Sequence, residues 1–266
     1  MTSRPYSPLD DAERLALQSR LCLRDDLTVL DPILDELARD HVDVDVLDAG
    51  CASGIAGRAR FDRDHVRVLG VDVAAPALER ARQSPAGRFS YEVGELGEPR
   101  DRRFDLVFSA LTLHLVPDPH VRLERLWDQV APGGWLVVRA SDFALAVTYP
   151  QSAHTEEIER LTAQAWPGVH FYDGRLVAHW FAQLRDVERV GYRPGSISTF
   201  ESPGVRGRRE FFEVLHGWKT NAVPSGEPAA VRRLEGLLEH EREHFEHTEG
   251  LFAATHQLIL SGRRRD

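Results

Sequence analysis

The chain predicts an α/β fold: a doubly wound, mostly parallel seven-stranded sheet with helical insertions capping it. Three observations carry that prediction. Apolar strand signals alternate with helical signals through the first half of the 266 residues. The peptide VLDAGCASG at Val46 to Gly54 joins a branched apolar run to an acid and two glycines among small residues. Two long helical stretches interrupt the alternation in the second half. Strands separated by helices imply parallel pairing with helices on both faces. A buried parallel strand ends in small residues when its carboxyl end must let a ligand approach the backbone.

Helical spacing covers about Leu27 to Arg39, with Leu30, Ile33, Leu34 and Leu37 on one face and Pro32 in the first turn or so. Strands are expected at Val44–Asp48, Val66–Val71 (ending at Asp72), Arg88–Val93, Phe104–Phe108 and Trp135–Val138. Short helices follow Gly54 and start at Pro76. A further helix spans His120–Val130 and is stopped by Pro132-Gly133-Gly134. Beyond that, Thr155–Trp166, Gly174–Leu184, Arg206–Trp218 and Pro228–Glu249 read as helices, with strands at Gly195–Phe200 and Ala253–Leu260. One elaborated domain over 1–266 is therefore expected. Residues 1–141 hold N-terminal helices and a ligand-binding half, and 142–185 and 203–250 are cap insertions.

Composition narrows the function classes. With 33 basic and 42 acidic residues the net charge is −9, which argues against nucleic acid, whose phosphates require a basic surface. Arg263, Arg264 and Arg265 form the one obvious basic patch, at a terminus where a solvated tail is the simpler reading. Cys22 and Cys51 are the only cysteines, too few for a disulfide framework. The N-terminus has no long apolar run, so no signal peptide or membrane span is expected, and a reducing cytoplasm fits.

Asp48-Ala49-Gly50-Cys51-Ala52-Ser53-Gly54 resembles the first motif, D-x-G-C-G-x-G, of class I S-adenosylmethionine-dependent methyltransferases, departing from it at Ala52. The resemblance extends over roughly residues 27–140 and implies a Rossmann-like sheet with S-adenosylmethionine as cofactor and S-adenosylhomocysteine as product. By that resemblance the backbone of Asp48, Gly50, Cys51, Ala52 and Gly54 holds the amino-acid end of the cofactor. The Ala52 methyl is tolerated where the local angles are not positive. Asp72, closing VRVLGVD, accepts hydrogen bonds from the ribose hydroxyls, and Val73 follows it. Glu95 and Leu96, after Gly94, stand where the family shows an acid near the adenine amino group. FDLVFSALTLHLVPD at Phe104–Asp118 resembles the family's fourth-strand motif. Ser109 would lie beside the methionyl moiety, Leu111, Leu113 and Leu115 would pack, and His114 is the candidate catalytic base, an imidazole titrating near neutrality.

Other readings fare worse. A nicotinamide fingerprint G-x-G-x-x-G started at Gly50 fails at Ala52 and Ile55. His240, His244 and His247 have a spacing that can bind metal, but glutamates surround them on a stripe separate from Leu234, Leu238 and Phe245. A solvated edge is the simpler reading, and no metal is assigned. Tyr149, His154, His170, Phe171, Tyr172, Trp180, Phe211 and Trp218 are the candidate core or pocket aromatics and histidines of the insertions, and Tyr6 a candidate to fold over the cofactor. The expectation is methyl transfer to a small-molecule acceptor, at oxygen or nitrogen, in secondary-metabolite tailoring. The protein would be a monomer or homodimer, with no nucleic acid and no membrane. Cofactor-dependent chemistry without methylation, such as a cyclisation, and a non-catalytic regulatory subunit are the alternatives.

Overall fold

A computed structural model describes residues 11–83, 87–166, 173–201, 204–221 and 228–266. The helices are α1 (Asp11–Asp40), α2 (Ile55–Phe61), α3 (Ala75–Arg82), α4 (Pro119–Asp128), α5 (Thr155–Ala165), α6 (Asp173–Phe181), α7 (Val205–Asn221) and α8 (Pro228–His247). The strands are β1 (Val44–Ala49), β2 (Val66–Asp72), β3 (Phe89–Val93), β4 (Phe104–Ala110), β5 (Val130–Tyr149), β6 (Val187–Ser198) and β7 (Phe252–Arg264). They form one seven-stranded sheet in the order β3-β2-β1-β4-β5-β7-β6. The β1–β2, β1–β4, β2–β3 and β4–β5 pairs are parallel. The expected doubly wound α/β architecture is what the chain adopts.

The chain divides into two compact units. One comprises Cys22–Ala144, His170–Gly195 and His256–Asp266, and contains most of the sheet. Strands β1, β2 and β4 read as nearly continuous apolar runs because both faces are buried. Val46, Leu106 and Val137 pack with Leu30, Ile33, Leu34 and Leu37 of α1 on one face. Their neighbours Leu47, Val107 and Leu136 pack with Leu123, Leu126 and Trp127 of α4 and with Val177 and Phe181 of α6 on the other. Adjacent strand residues therefore serve opposite cores, the period-2 consequence of the pleat. The strand order reverses between β1 and β4, and the crevice at the carboxyl ends there is where ligands bind in such sheets.

The other unit comprises Met1–Leu21, Leu145–Val169 and Ser196–Thr255. Its α5 and α7 both pack on α8. Phe211 stacks on Phe245 with centroids 6.1 Å apart, and Phe212 meets the same ring edge-on at 5.7 Å. Arg208 donates to the carbonyls of Phe245 and Glu246 at 2.6 and 2.8 Å, closing carbonyls that the end of α8 leaves open.

Three elements differ from expectation. Helix α1 begins at Asp11, so Pro32 lies in its interior and not in its first turn. Burial of Leu30, Ile33 and Leu34 beside the proline compensates for the hydrogen bond that its missing N–H removes. Pro132-Gly133-Gly134 does not end a helix before a short strand but bulges inside β5. Val130 pairs with Phe104 and Trp135 with Leu106, so the excess residues loop out, with Gly133 at φ +74°. Strand β6 starts at Val187, eight residues before the expected Gly195.

Candidate active site

The loop after β1 is built on backbone. The N–H groups of Gly50 and Cys51 both donate to the Val71 carbonyl, at 2.8 and 3.1 Å, tying the end of β1 to β2. Gly54 N–H donates to Cys51 O at 2.9 Å and starts α2. Gly50 and Gly54 have φ of +85° and +69°, the left-handed region that glycine enters without cost. A Cβ on Gly50 would come within 2.6 Å of Thr112 Cγ2, and one on Gly54 within 2.7 Å of Tyr91 Cε1. The loop is thus pressed against the loop after β4 on one side and against β3 on the other.

Ala52 departs from the expected conformation: its φ is +47°. The methyl group is therefore not placed at ordinary angles but held in a region that costs an alanine about 1 kcal/mol or more. Asp72 is what holds it. One Asp72 oxygen accepts from Ala52 N–H at 2.8 Å, and the other from Ala74 N–H at 2.9 Å. The carboxylate at the end of β2 thus organises the first loop, and each oxygen keeps a lone pair for a further donor. Val73 beside it is 67% exposed, a bare apolar surface at the strand end.

Asp48 is 4% exposed. Burial pushes its carboxyl up to about 6; Arg60 opposes the rise, and Asp72 and Asp26 add to it. Gly57 of α2 leaves room for this carboxylate, with which a Cβ would collide. Cys51 is buried, and burial, then Asp48 and Asp72, drive its thiol far up, so it is no nucleophile. Both cysteines are free.

On the β4 side, Ser109 is 1% exposed and lies opposite Val138 on β5. Its hydroxyl oxygen finds no partner among the described residues. An orphaned buried hydroxyl is costly unless something else satisfies it. Leu111 sits at φ +56° and donates its N–H to Arg139 O at 2.8 Å. His114 lies in one turn of 3-10 helix, Leu113–Leu115, and is partly buried. Leu113 is buried as expected, but Leu115 is 54% exposed and does not pack, because the tight turn points it outward.

At the third strand, Leu96 is buried in the core. The Glu95 carboxylate is paired with Arg122 of α4 at 2.8 Å, and Arg122 also donates to Leu96 O at 3.1 Å. The turn is thereby clamped to α4. Sequence reading missed Thr112, Tyr91, Arg58 and Arg60. Arg58 donates to Tyr91 Oη at 3.2 Å, and burial raises that phenol above its ordinary range.

Among the described residues, the remaining candidates do not gather into a site. His240 is exposed with its ring 5.5 Å from His154, His247 is exposed, and His244 Nε2 lies 2.8 Å from Pro150 O. No group of three metal-ligating side chains exists among the described residues. Phe211 is core, Trp180 packs against the sheet core, and Tyr149 is 76% exposed. Trp218 lies on α7. Tyr6, His170, Phe171 and Tyr172 lie outside the described residues. Among the described residues no helix is long and apolar enough to cross a membrane.

Residues 47–138 match the family model of the methyltransferase domain. The trans-aconitate 2-methyltransferase of Deinococcus radiodurans is 34% identical over 95 residues, covering 35% of this chain and 36% of that one. The chain thus spans about a third of the length of that relative. The YcgJ protein of Bacillus subtilis has the same fold at TM-score 0.56 and 11% identity, over 91% of this chain and all but 1% of that one (99% covered). The cyclase SpnF shares it at TM-score 0.52 and 16% identity, over 90% of this chain and 80% of that one. The strand order, the glycine-lined loop at the switch point and the family match agree on one stretch: residues 47–138 match a methyltransferase domain.

Proposed function

We propose that the chain transfers the methyl group of S-adenosylmethionine to a small-molecule acceptor, at oxygen or nitrogen, as a tailoring step on a secondary metabolite. The observation that carries this reading is the loop between Asp48 and Gly54. Its glycines leave no side chain above the backbone, it is pinned by Asp72, and it faces the Thr112 loop at the switch point. The residues fit the cofactor. The backbone of Asp48, Gly50, Cys51, Ala52 and Gly54 receives its amino-acid end, and the Asp72 carboxylate its ribose hydroxyls. Val73, Glu95 and Leu96 frame the base, and the orphaned Ser109 hydroxyl supplies a polar contact to the methionyl part.

The bound cofactor supplies a methyl group on a sulfonium, already activated for transfer. The chain's own work is placement of the acceptor in line and exclusion of water. His114 accepts the proton that an acceptor hydroxyl or amine must lose. Acceptor choice is assigned to the helical segments outside residues 47–138, and the small-molecule acceptor of the trans-aconitate relative supports that class. We further propose a monomeric or homodimeric protein in the cytoplasm, the compartment being supported by its two free, buried thiols.

A second reading has one specific observation behind it: the cyclase SpnF shares this fold. Fold alone does not fix chemistry. The test is a panel of small-molecule acceptors incubated with the purified protein and S-adenosylmethionine, read by product mass. A gain of one methyl group with formation of S-adenosylhomocysteine supports methyl transfer. A changed product of unaltered mass supports cyclisation. Cofactor bound but never consumed across the panel supports the regulatory alternative.

A further inference from the structure

Within the sheet unit, a row of buried charges runs beside the Asp48 loop, and the cofactor reading makes no use of it. Asp26 of α1 is 1% exposed. One of its oxygens accepts from Arg60 Nε of α2 at 2.7 Å, and the other from Arg139 Nη1 of β5 at 2.6 Å. Arg139 has a wholly buried side chain. Its Nη1 also donates to Cys22 O at 3.1 Å, and its Nε donates to Gln257 Oε1. Its Nη2 lies 3.9 Å from Asp25 Oδ2. Arg60 lies over the Phe108 ring, 4.9 Å from the centroid.

Asp26 holds two guanidinium groups, and Asp25 beside Arg139 offsets the second charge, as buried charge is tolerated only when compensated. On the α2 side the next carboxylate is Asp48. Gly57 and Arg60 are three residues apart on α2 and so share a face. Gly57 gives the Asp48 carboxylate room, while Arg60 reaches Asp26. Arg60 is thus shared between two acids, one held by a direct hydrogen bond and one felt through its field. At the other end of the row, Arg139 carries the carbonyl that accepts from Leu111 N–H.

We propose that Asp26 is a positioning residue for the cofactor site: by holding Arg60 it sets how much positive charge reaches Asp48, and by holding Arg139 it fixes the β5 carbonyl to which Leu111 N–H donates. The two loops framing the site are tied through one buried carboxylate. The charged groups that act on Asp48 are Arg60 from α2, Asp26 from α1 and Asp72 from β2, and Asp48 in turn acts on Tyr91 from β3 and Cys51 from its own loop. Asp26 and Arg60 act on it in opposite directions, which gives the proposal a signature that loss of packing does not share.

The inference rests on the cofactor reading only for its binding readout, so two readouts are used. One is the titration of the Asp48 side-chain carboxyl by carbon NMR, its signal assigned by its loss in D48N. The other is S-adenosylhomocysteine affinity by calorimetry from pH 5 to 8, each variant normalised to its own value at pH 8. In D26N, Arg60 is released to Asp48, and both midpoints should fall by about one pH unit. In R60Q both should rise by about as much, and R60K should stay near wild type. At pH 5.5 a one-unit move changes relative affinity by up to about tenfold. Midpoints that stay in place in folded D26N and R60Q, or move in the same direction, overturn the proposal. If D26N does not fold, R60Q against R60K decides it: a raised midpoint in R60Q alone supports the proposal, and none overturns it. NMR midpoints moving as stated while wild type binds no S-adenosylhomocysteine would keep the triad and overturn the cofactor reading instead.

Discussion

Replacing Asp48 with asparagine should stabilise the protein in a pH-dependent way. In the unfolded chain this carboxyl titrates at its ordinary 3.8; in the fold, burial raises it to about 6. The fold therefore binds this proton more tightly than the unfolded chain does. Between about pH 4 and 6 the unfolded chain has released it and the fold has not, so stability falls as pH rises through that window and levels off above it. The gap between the two values, at about 1.36 kcal/mol per pH unit, comes to about 3 kcal/mol. Asparagine keeps the shape and carries no charge, so the variant escapes that loss. The stability of D48N minus that of wild type should grow by about 2–3 kcal/mol between pH 4 and 7.5, measured by urea unfolding at several pH values in that range. Any constant offset from altered hydrogen bonding cancels in the comparison. A difference that does not change with pH, or one that shrinks as pH rises, would refute the reasoning. Either would mean that Arg60 outweighs burial and keeps Asp48 ionised.

Three further outcomes are expected. Asp72→Ala removes the acceptor for Ala52 N–H and Ala74 N–H, and should weaken S-adenosylhomocysteine binding by about 1–3 kcal/mol; unchanged affinity in a folded variant, by calorimetry, would remove the ribose assignment. Ala52→Gly relieves a left-handed alanine but gives the unfolded chain more freedom. The two effects nearly offset, so unfolding stability should stay within about 1 kcal/mol of wild type; a loss above about 2 kcal/mol would show that the methyl packs and is not strained. His114→Ala should lower turnover by about a hundredfold or more while cofactor affinity moves far less, and full activity in steady-state assays would remove His114 as the base.

Strands β1, β2 and β4 were legible because parallel strands buried on both faces are short apolar runs with sharp ends, and VLDAGCASG and VRVLGVD are such runs. Strand β5 was read only at Trp135–Val138, although it runs from Val130 to Tyr149. Pro132-Gly133-Gly134 is a stop signal in local terms, and only the pairing of Val130 with Phe104 reveals it as a bulge. Strand β6 was missed at its start because its first residues lie at the sheet edge and are largely exposed, so no apolar alternation marks them. Pro32 misplaced the start of α1 for a related reason: a proline rule describes isolated helices, and tertiary burial of Leu30 and Leu34 overrides it. At the site, the residue types at Gly50, Gly54 and Asp72 announced themselves by spacing. The sign of φ at Ala52 did not, since it is fixed by Asp72, twenty residues on. The Asp26–Arg139 pair joins residues 113 apart, and no local pattern records such a contact.

The measurement that tests the account most directly is a calorimetric titration of S-adenosylhomocysteine into the wild-type protein, with D72A alongside. Micromolar binding by wild type, with at least about a fivefold loss in D72A, is the predicted result. No binding to a folded wild-type sample, or equal binding by both proteins, would contradict the claim that the loop from Asp48 to Gly54 and the Asp72 carboxylate form the cofactor site.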